Sequence, residues 1–515
     1  MTIHSFSLYL SNRIQEAQQI TIAKLADKTG RSPATIRRTI HQLNDYLTPE
    51  KQFIVTESKI INQLTYTEYI QFIQSLTIFD YATSWKERLA FLFCLSMVNG
   101  HVNFSKQYEE LGISQSTKKK DRPQFIQELA QHALTIQSFR GKGIAILGDE
   151  QTLRIQATRM ISPLIELNEQ NQIIPRQANN PIQQLTYQLI QPLFQHAEKA
   201  NRLQEFFASE KLSFNYQSTK FIYVYHFLSL HRTKQGFTIQ QEPDFPVVVP
   251  EYTFYHQTKE DRVFSHLLAS LDNNGRPIYS YDPTIQSLSN ACIAYVEERI
   301  LTTFYTKKEL QQELEQYLYK CVLRKNFHYD FYDNKLDDVE KEFSFLYQLV
   351  EYYCLNNIHE TIALNKHQIS TITLLFREHV LKNKIAGRNL KKVVIITNSA
   401  KEKSDFFSQQ LLYHFDTQIV AILNIDEIYK LKLLKFDNLM TFSNRISTIL
   451  LENGFPNIKV NYYFHATDLE YLTKLGFSSN SHRKLLAQDF VQTIETIPKN
   501  DLADYLKQTF PNFFI

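Results

Sequence analysis

Between Ile20 and Leu47 the chain reads ITIAKLADKTGRSPATIRRTIHQLNDYL, in which an apolar-periodic segment runs from Ile22 to Lys28, stops at Gly30 and restarts at Ser32. The pattern predicts two helices joined by a tight turn. Ser32 is a good N-cap, and Pro33 follows at the first helical position, where a missing N–H costs nothing and a fixed φ suits the helix start. Ala26, Gly30 and Ile36 supply the small, turn and buried aliphatic positions that a helix-turn-helix requires. Phe53 to Gln63 places two β-branched runs around a short polar turn, which predicts a hairpin and so a winged unit.

A second copy of the pattern lies between Val102 and Leu129, with Gly112 in the turn and Ser114 at the cap of a helix carrying Lys118, Lys119, Lys120 and Arg122. Tyr108 and Lys118 stand where the first unit has Ala26 and Ile36, so the packing is expected to differ, with the lysine stem covering apolar surface. Pro123 is expected to limit that helix. Phe139 to Gly148 then reads as a glycine-rich turn and strand, and Asp149 to Met160 as a helix. From Asn180 to Lys384, aromatic-rich helical periodicity is broken near Asp244 to Pro250 and Asn273 to Pro283, which predicts two helical domains. Phe221 to Phe237 can be laid on Glu313 to Phe327 with Arg232 opposite Arg324, an internal echo of duplication. Four β-branched runs follow, Leu390 to Asn398, Gln418 to Leu423, Phe436 to Phe442 and Ile458 to Phe464, with a helical stretch through His414 after the first. They predict a small parallel α/β domain.

A chain of 515 residues is too long for one core, and roughly 100 to 200 residues per domain gives about three to five. Apolar residues at 43% and only 11 Gly and 15 Pro argue that every part folds. Cys94, Cys292, Cys321 and Cys354 are scattered without a CxxC pair or a Cys/His cluster, which excludes a disulfide framework and a zinc site and reads as buried thiols in a reducing compartment. The first residues lack the basic and apolar segments of a signal peptide, and the run Leu89 to Val98 is about half of what a bilayer needs, so a cytoplasmic chain without a membrane span is expected. A net charge of +3 neither requires nor excludes nucleic acid; local basic faces decide.

Two such faces exist. Ser32, Thr35, Arg37, Arg38, His41 and Gln42 lie on or at the cap of the first unit's second helix, and Ser116, Thr117, Lys119, Lys120 and Arg122 on the second unit's. Such side chains are able to donate to phosphates or base edges of a major groove, and they are the expected contacts.

The order ELGISQSTKKKD (Glu110 to Asp121), then GKGIAILGDEQTLR (Gly141 to Arg154) with Gly148, Asp149, Glu150 and Arg154, resembles the second DNA-binding domain of the Mga/AtxA family of regulators from Gram-positive bacteria. The resemblance covers most of the chain. It implies a mainly α multidomain protein with winged helix-turn-helix domains at 1–65 and 66–165. Regulatory domains of the phosphotransferase-system type would follow at 175–280 and 281–387, and an α/β domain similar to enzyme IIB at 388–515. In such regulatory domains a histidine about two turns before the arginine accepts a phosphoryl group; His226 matches, Leu318 stands in the second copy, and the His226 position equally suits a packed core histidine. His231 and His367 are further candidates, followed by His256, His266 and His359.

A transporter IIB carries a phosphorylated cysteine after its first strand, whereas here the loop is Thr397 to Lys401 and no cysteine follows Cys354. Phosphocysteine transfer is therefore excluded, and Ser399 has no evident base beside it, so the domain reads as a binding or dimerisation module. The resemblance implies a transcription activator; the missing cysteine and the absence of a P-loop, a nucleotide glycine motif or a metal cluster count against an enzyme, and no cofactor or metal is expected. Its implied partners are duplex promoter DNA, a second copy of the chain, a phosphotransferase phosphocarrier protein and RNA polymerase. An RNA-binding antiterminator and a phosphotransferase component are the alternatives.

Overall fold

The computed structural model describes residues 2–515 apart from 178, 196, 242–243, 276, 301–303, 305, 332, 385–390, 476, 478–486, 499–500, 503–504 and 507–515. Leu390, the expected start of the first C-terminal strand, and the expected boundary at 387–388 lie outside the described residues. Helices dominate the rest.

The chain opens with β1 (Ile3–His4), α1 (Ser5–Ala17), β2 (Gln19–Thr21), α2 (Ile22–Thr29), α3 (Pro33–Asn44), β3 (Ile54–Val55) and β4 (Lys59–Ile61). Gly30 ends α2 at φ +62°, a conformation that favours glycine, and the Ser32 hydroxyl accepts from Thr35 N at 3.2 Å to start α3. Leu25, Ile36, Ile40 and Leu43 are fully buried where the two helices meet α1. β2, β4 and β3 form an antiparallel sheet beside them. The next segment, α4 (Tyr66–Ser75) and β5 (Tyr81–Ala82), returns to the same unit: β5 pairs with β1, and the Tyr69 and Ser11 hydroxyls meet at 3.4 Å.

α5 (Trp85–Asn99), α6 (Phe104–Glu110), α7 (Gln115–Ala130), β6 (Thr135–Phe139), β7 (Gly143–Leu147) and α8 (Glu150–Ile161) follow. α5 is apolar on all sides because α7, α8, β7 and later helices surround it. The expectation that Pro123 limits the recognition helix is corrected: α7 runs through Pro123 to Ala130, since Phe125 and Leu129 beyond it are buried and anchor the last turns. The hairpin β6–β7 also begins earlier than the sequence reading, which saw only its second strand.

β8 (Ile165–Leu167) and β9 (Ile173–Pro175) form a small hairpin that the sequence reading did not include. The helical middle comprises α9 (Pro181–Ile190), α10 (Ala197–Ser209), α11 (Tyr216–Lys234), α12 (Thr258–Ser270), α13 (Pro283–Ile300), α14 (Lys307–Phe327), α15 (Val339–Glu342), α16 (Ser344–Tyr353) and α17 (Lys366–Lys384). α11 packs on α8 and α14 packs on α12, so each arginine-ended helix lies against the last helix of the segment before it. Arg232 holds Glu150 of α8 at 2.7 Å and 3.0 Å, while Arg324 donates to the Ser270 carbonyl at 2.9 Å and pairs with Asp272 at 2.8 Å. The echo thus has a geometric counterpart.

β10 (Lys391–Ile396), α18 (Lys401–His414), β11 (Thr417–Leu423), β12 (Asn438–Thr441), α19 (Asn444–Glu452), β13 (Ile458–Lys459), α20 (Ala466–Lys474) and α21 (Ala487–Thr496) complete the chain. The sheet order is β11-β10-β12-β13, all parallel, as the four β-branched runs predict. Its ends meet the first unit, where Asn444 Nδ2 donates to the Gln15 and Glu16 carbonyls at 2.9 Å and 2.8 Å. All four cysteines are free and buried, and among the described residues no helix is long and apolar enough to cross a membrane.

Candidate nucleic-acid interface

On α3, Ser32, Arg38, His41 and Gln42 are exposed, whereas Thr35 and Arg37 are half-buried. Thr35 is engaged in the cap, its hydroxyl 2.9 Å from that of Ser32. Arg37 turns away from solvent and donates to the Glu57 carbonyl in the β3–β4 turn. Its role is to tie the hairpin to the helix, which leaves Arg38, His41 and Gln42 as the outward donors. Arg31 lies over the Phe6 ring at 5.6 Å and steadies the turn before α3.

The second unit repeats the plan with a different core. Gly112 turns at φ +67°, and the Ser114 hydroxyl accepts from Thr117 N at 3.2 Å. Tyr108, buried where the first unit has a small residue, donates to Asp121 Oδ2 at 2.5 Å, and Asp121 also accepts from Arg88 Nε at 2.6 Å and Nη2 at 2.9 Å. This buried triad pins α7 to α5 and α6. Lys118 lays its ammonium 5.4 Å from the Phe104 ring centroid, in keeping with a stem that covers apolar surface. With Asp121 turned inward, its neighbours Lys120 and Arg122 face solvent, as do Ser116 and Lys119; Thr117 is half-buried.

The sequence reading missed Arg140 and Lys142, two exposed cations at the tip of the β6–β7 hairpin. The signal was present in Phe139-Arg140-Gly141-Lys142-Gly143, read only as a glycine-rich turn. Gly143 is required there: at φ +102° an added Cβ would stand 2.2 Å from the Val102 carbonyl oxygen, because Val102 forms an isolated antiparallel bridge to Ile144.

The candidate phosphoacceptors are dispersed. His226 is fully buried, its Nδ1 3.2 Å from the Tyr255 hydroxyl and its ring packed on Phe227 and Phe254. His266 is buried and stacked on Phe245 at 3.7 Å. His231 is half-buried with Nε2 2.7 Å from the Val98 carbonyl at the end of α5, and His367 is half-buried 3.8 Å from Asp337. His256 and His359 are exposed. In a metal-like grouping of Glu313, Glu378 and His379, the His379 ring is held by Thr306 at 2.6 Å and Glu313 at 3.0 Å and Glu378 Oε1 by Lys382 at 2.8 Å, while Glu378 Oε2 is buried without a hydrogen-bond partner.

Behind α7 lies a buried charge network. Arg154 of α8, fully buried, meets Glu150 at 2.9 Å and Glu260 of α12 at 2.6 Å, and Glu150 also receives Arg232 of α11. These four groups join the second basic unit to the helical middle. No protein-family model matches the sequence, and no curated protein matches it.

Proposed function

We propose that the chain is a transcription regulator that reads duplex DNA through α3 and α7, each the second helix of a winged helix-turn-helix. The observation that carries this reading is the repetition of one device. A serine-capped helix follows a left-handed glycine turn, lies beside an antiparallel hairpin, and presents its cations outward: Arg38 with His41 and Gln42, then Lys119, Lys120 and Arg122. Arg140 and Lys142 extend the second face into the adjoining groove or backbone.

Phosphate contacts fix register and carry most of the affinity, so binding weakens steeply with salt. The test is the salt-dependent affinity of the intact chain for promoter-length duplex, compared with a variant carrying Arg38→Ala, Lys119→Ala, Lys120→Ala and Arg122→Ala. The log–log salt slope should shrink by about one unit per lost phosphate contact. Equal affinity and slope in the two proteins would remove the proposal, and preference for hairpin RNA over duplex DNA would favour an antiterminator instead.

Under the same proposal the helical middle is a pair of phosphotransferase-type regulatory domains, the C-terminal sheet is an enzyme IIB-like module without its cysteine, and the chain works as a homodimer. His231 is the phosphoacceptor with the clearest consequence. A phosphoryl group on Nε2 would replace its contact with the Val98 carbonyl and so loosen α11 from α5, the helix on which α7 is pinned. A His231→Ala chain that still responds to phosphocarrier treatment as the wild type does would exclude this site.

A further inference from the structure

From β10 the chain passes to β11 on one side and then crosses to β12 on the other, so the strand order reverses between β10 and β12. Open parallel sheets take ligands in the crevice beyond the carboxyl ends of the strands at this position. Two loops leave the sheet there, 397–400 after β10 and 442–443 after β12. α18 starts from Ala400, which lines the cavity, with no side-chain cap on its first turn.

The two loops form one wall of a cavity of about 680 Å³, a size suited to a small metabolite. The facing wall carries Lys220 and Asn215 at the start of α11, Arg176 after β9, and Arg445 of α19. Its charge is unbalanced. Glu166 of β8 is the shared carboxylate for Arg176 at 3.5 Å, Lys220 at 3.5 Å and Arg445, and it also accepts from the Tyr216 hydroxyl. The other acids on the wall each have their own cation: Glu16 with Arg13 at 3.4 Å, Asp272 with Lys320 at 2.6 Å and Arg324 at 2.8 Å, Asp330 with Arg324 at 3.4 Å, and Asp333 with Lys335 at 3.4 Å.

With Lys220 protonated, three cations on one carboxylate leave an excess of two positive charges in a partly enclosed space. Burial pushes the Lys220 ammonium down to about 7 against the pull of Glu166, with Arg176 and Arg445 adding to the depression. A doubly negative group is the complement that is missing.

We propose that this cavity binds a small molecule through a phosphate dianion, held by Lys220, Arg176, Arg445 and the amino end of α18, with Asn215 and Asn398 placed for hydroxyls of its remainder. The walls come from α1, α8, α11 and the C-terminal sheet, so an occupant would brace the first unit against the rest of the chain.

The experiment uses the intact chain without DNA, so its outcome is independent of whether the basic helices read DNA. Calorimetry and thermal unfolding at constant ionic strength compare inorganic phosphate, glucose 6-phosphate and glucose. Both phosphates should bind and raise the melting temperature, the ester more tightly because the cavity exceeds one phosphate, and glucose should do neither. Phosphate bound as tightly as the ester would make the free ion the ligand and overturn the assignment of the remainder. Lys220→Met and Arg445→Gln should each weaken binding by about tenfold or more. In phosphate-free buffer Lys220→Met should melt no lower than wild type, because a buried like charge has been removed. No binding of either phosphate, or unchanged affinity in both variants, overturns the proposal.

Discussion

Asp121→Asn is the substitution that most directly tests how the second basic face is built. Asp121 is 3% exposed and accepts three hydrogen bonds, at 2.6 Å and 2.9 Å from Arg88 and 2.5 Å from Tyr108. Arg88 is 5% exposed, and beyond Asp121 it reaches only the Thr83 carbonyl and, at 3.0 Å, the Thr83 hydroxyl. An asparagine keeps the shape, but it removes the charge and replaces one acceptor oxygen with a donor. The guanidinium is then buried without a counter-charge, a loss of about 3–5 kcal/mol. That is a large part of the total of about 5–15 kcal/mol that holds a domain folded. The reporter is built in: Trp85 is the one tryptophan of the chain, heads α5 and lies 6.5 Å from the Phe125 ring of α7. Urea unfolding followed by Trp85 emission should shift to lower denaturant in Asp121→Asn, and DNA affinity should fall although no outward donor has changed. The double variant Arg88→Met with Asp121→Leu should recover most of the stability, since an apolar pair of similar volume leaves no stranded charge. A Trp85 transition within about 1 kcal/mol of wild type for Asp121→Asn, below the usual cost of stranding a buried charge, would refute the reasoning.

Gly143→Ala should cost more than about 1 kcal/mol, because alanine must adopt a positive φ and its Cβ meets the Val102 carbonyl; faster trypsin cleavage at Arg140 and Lys142 would report the opened hairpin, and unchanged cleavage would argue against it. Lys220 supplies a pH signature. Its folded pKa of about 7 lies below the unfolded value of 10.5, so between these values the unfolded chain binds the extra proton and stability rises with pH, by up to about 1.4 kcal/mol per pH unit. The difference between wild type and Lys220→Met from pH 8 to 10 isolates this group, because Glu378, raised to about 8, and Lys459, lowered by burial, titrate alike in both proteins. Wild type should gain stability over that window relative to Lys220→Met, and parallel profiles would show that the ammonium is not depressed.

The first helix pair was legible because its signals are local: Gly30, Ser32 and Pro33 fix a turn and a helix start whatever surrounds them. The C-terminal sheet was legible for a related reason, since strands covered on both faces read as continuous β-branched runs such as Val393 to Ile396. The direction of Arg37 was not legible, because its acceptor Glu57 belongs to a turn twenty residues away. Helical periodicity placed His226 on α11 without telling that Phe254 and Tyr255, from an irregular segment, close over it. The cavity beside Lys220 was least accessible of all. Its walls come from α1, α8, α11, α19 and two strand ends, so no window of sequence contains it.

The two basic units are fastened to the rest of the chain in unlike ways. α7 stands on α5 and α8, and α8 is locked to α11 and α12 by Arg154, Glu150, Arg232 and Glu260, all with side chains under one-tenth exposed. The first unit leans on the later segment through Lys28 to Asp338 and Arg13 to Asp337, whose side chains keep access to water, and through the Asn444 amide on the Gln15 and Glu16 carbonyls. Sliding the first joint trades surface ion pairs and amide hydrogen bonds for hydration at a lower cost than turning the second, which strands charges in a dry interior. The spacing between α3 and α7 is therefore the more adjustable dimension of this molecule, and under the proposed function the place where the first unit docks would set the register of the two helices on DNA.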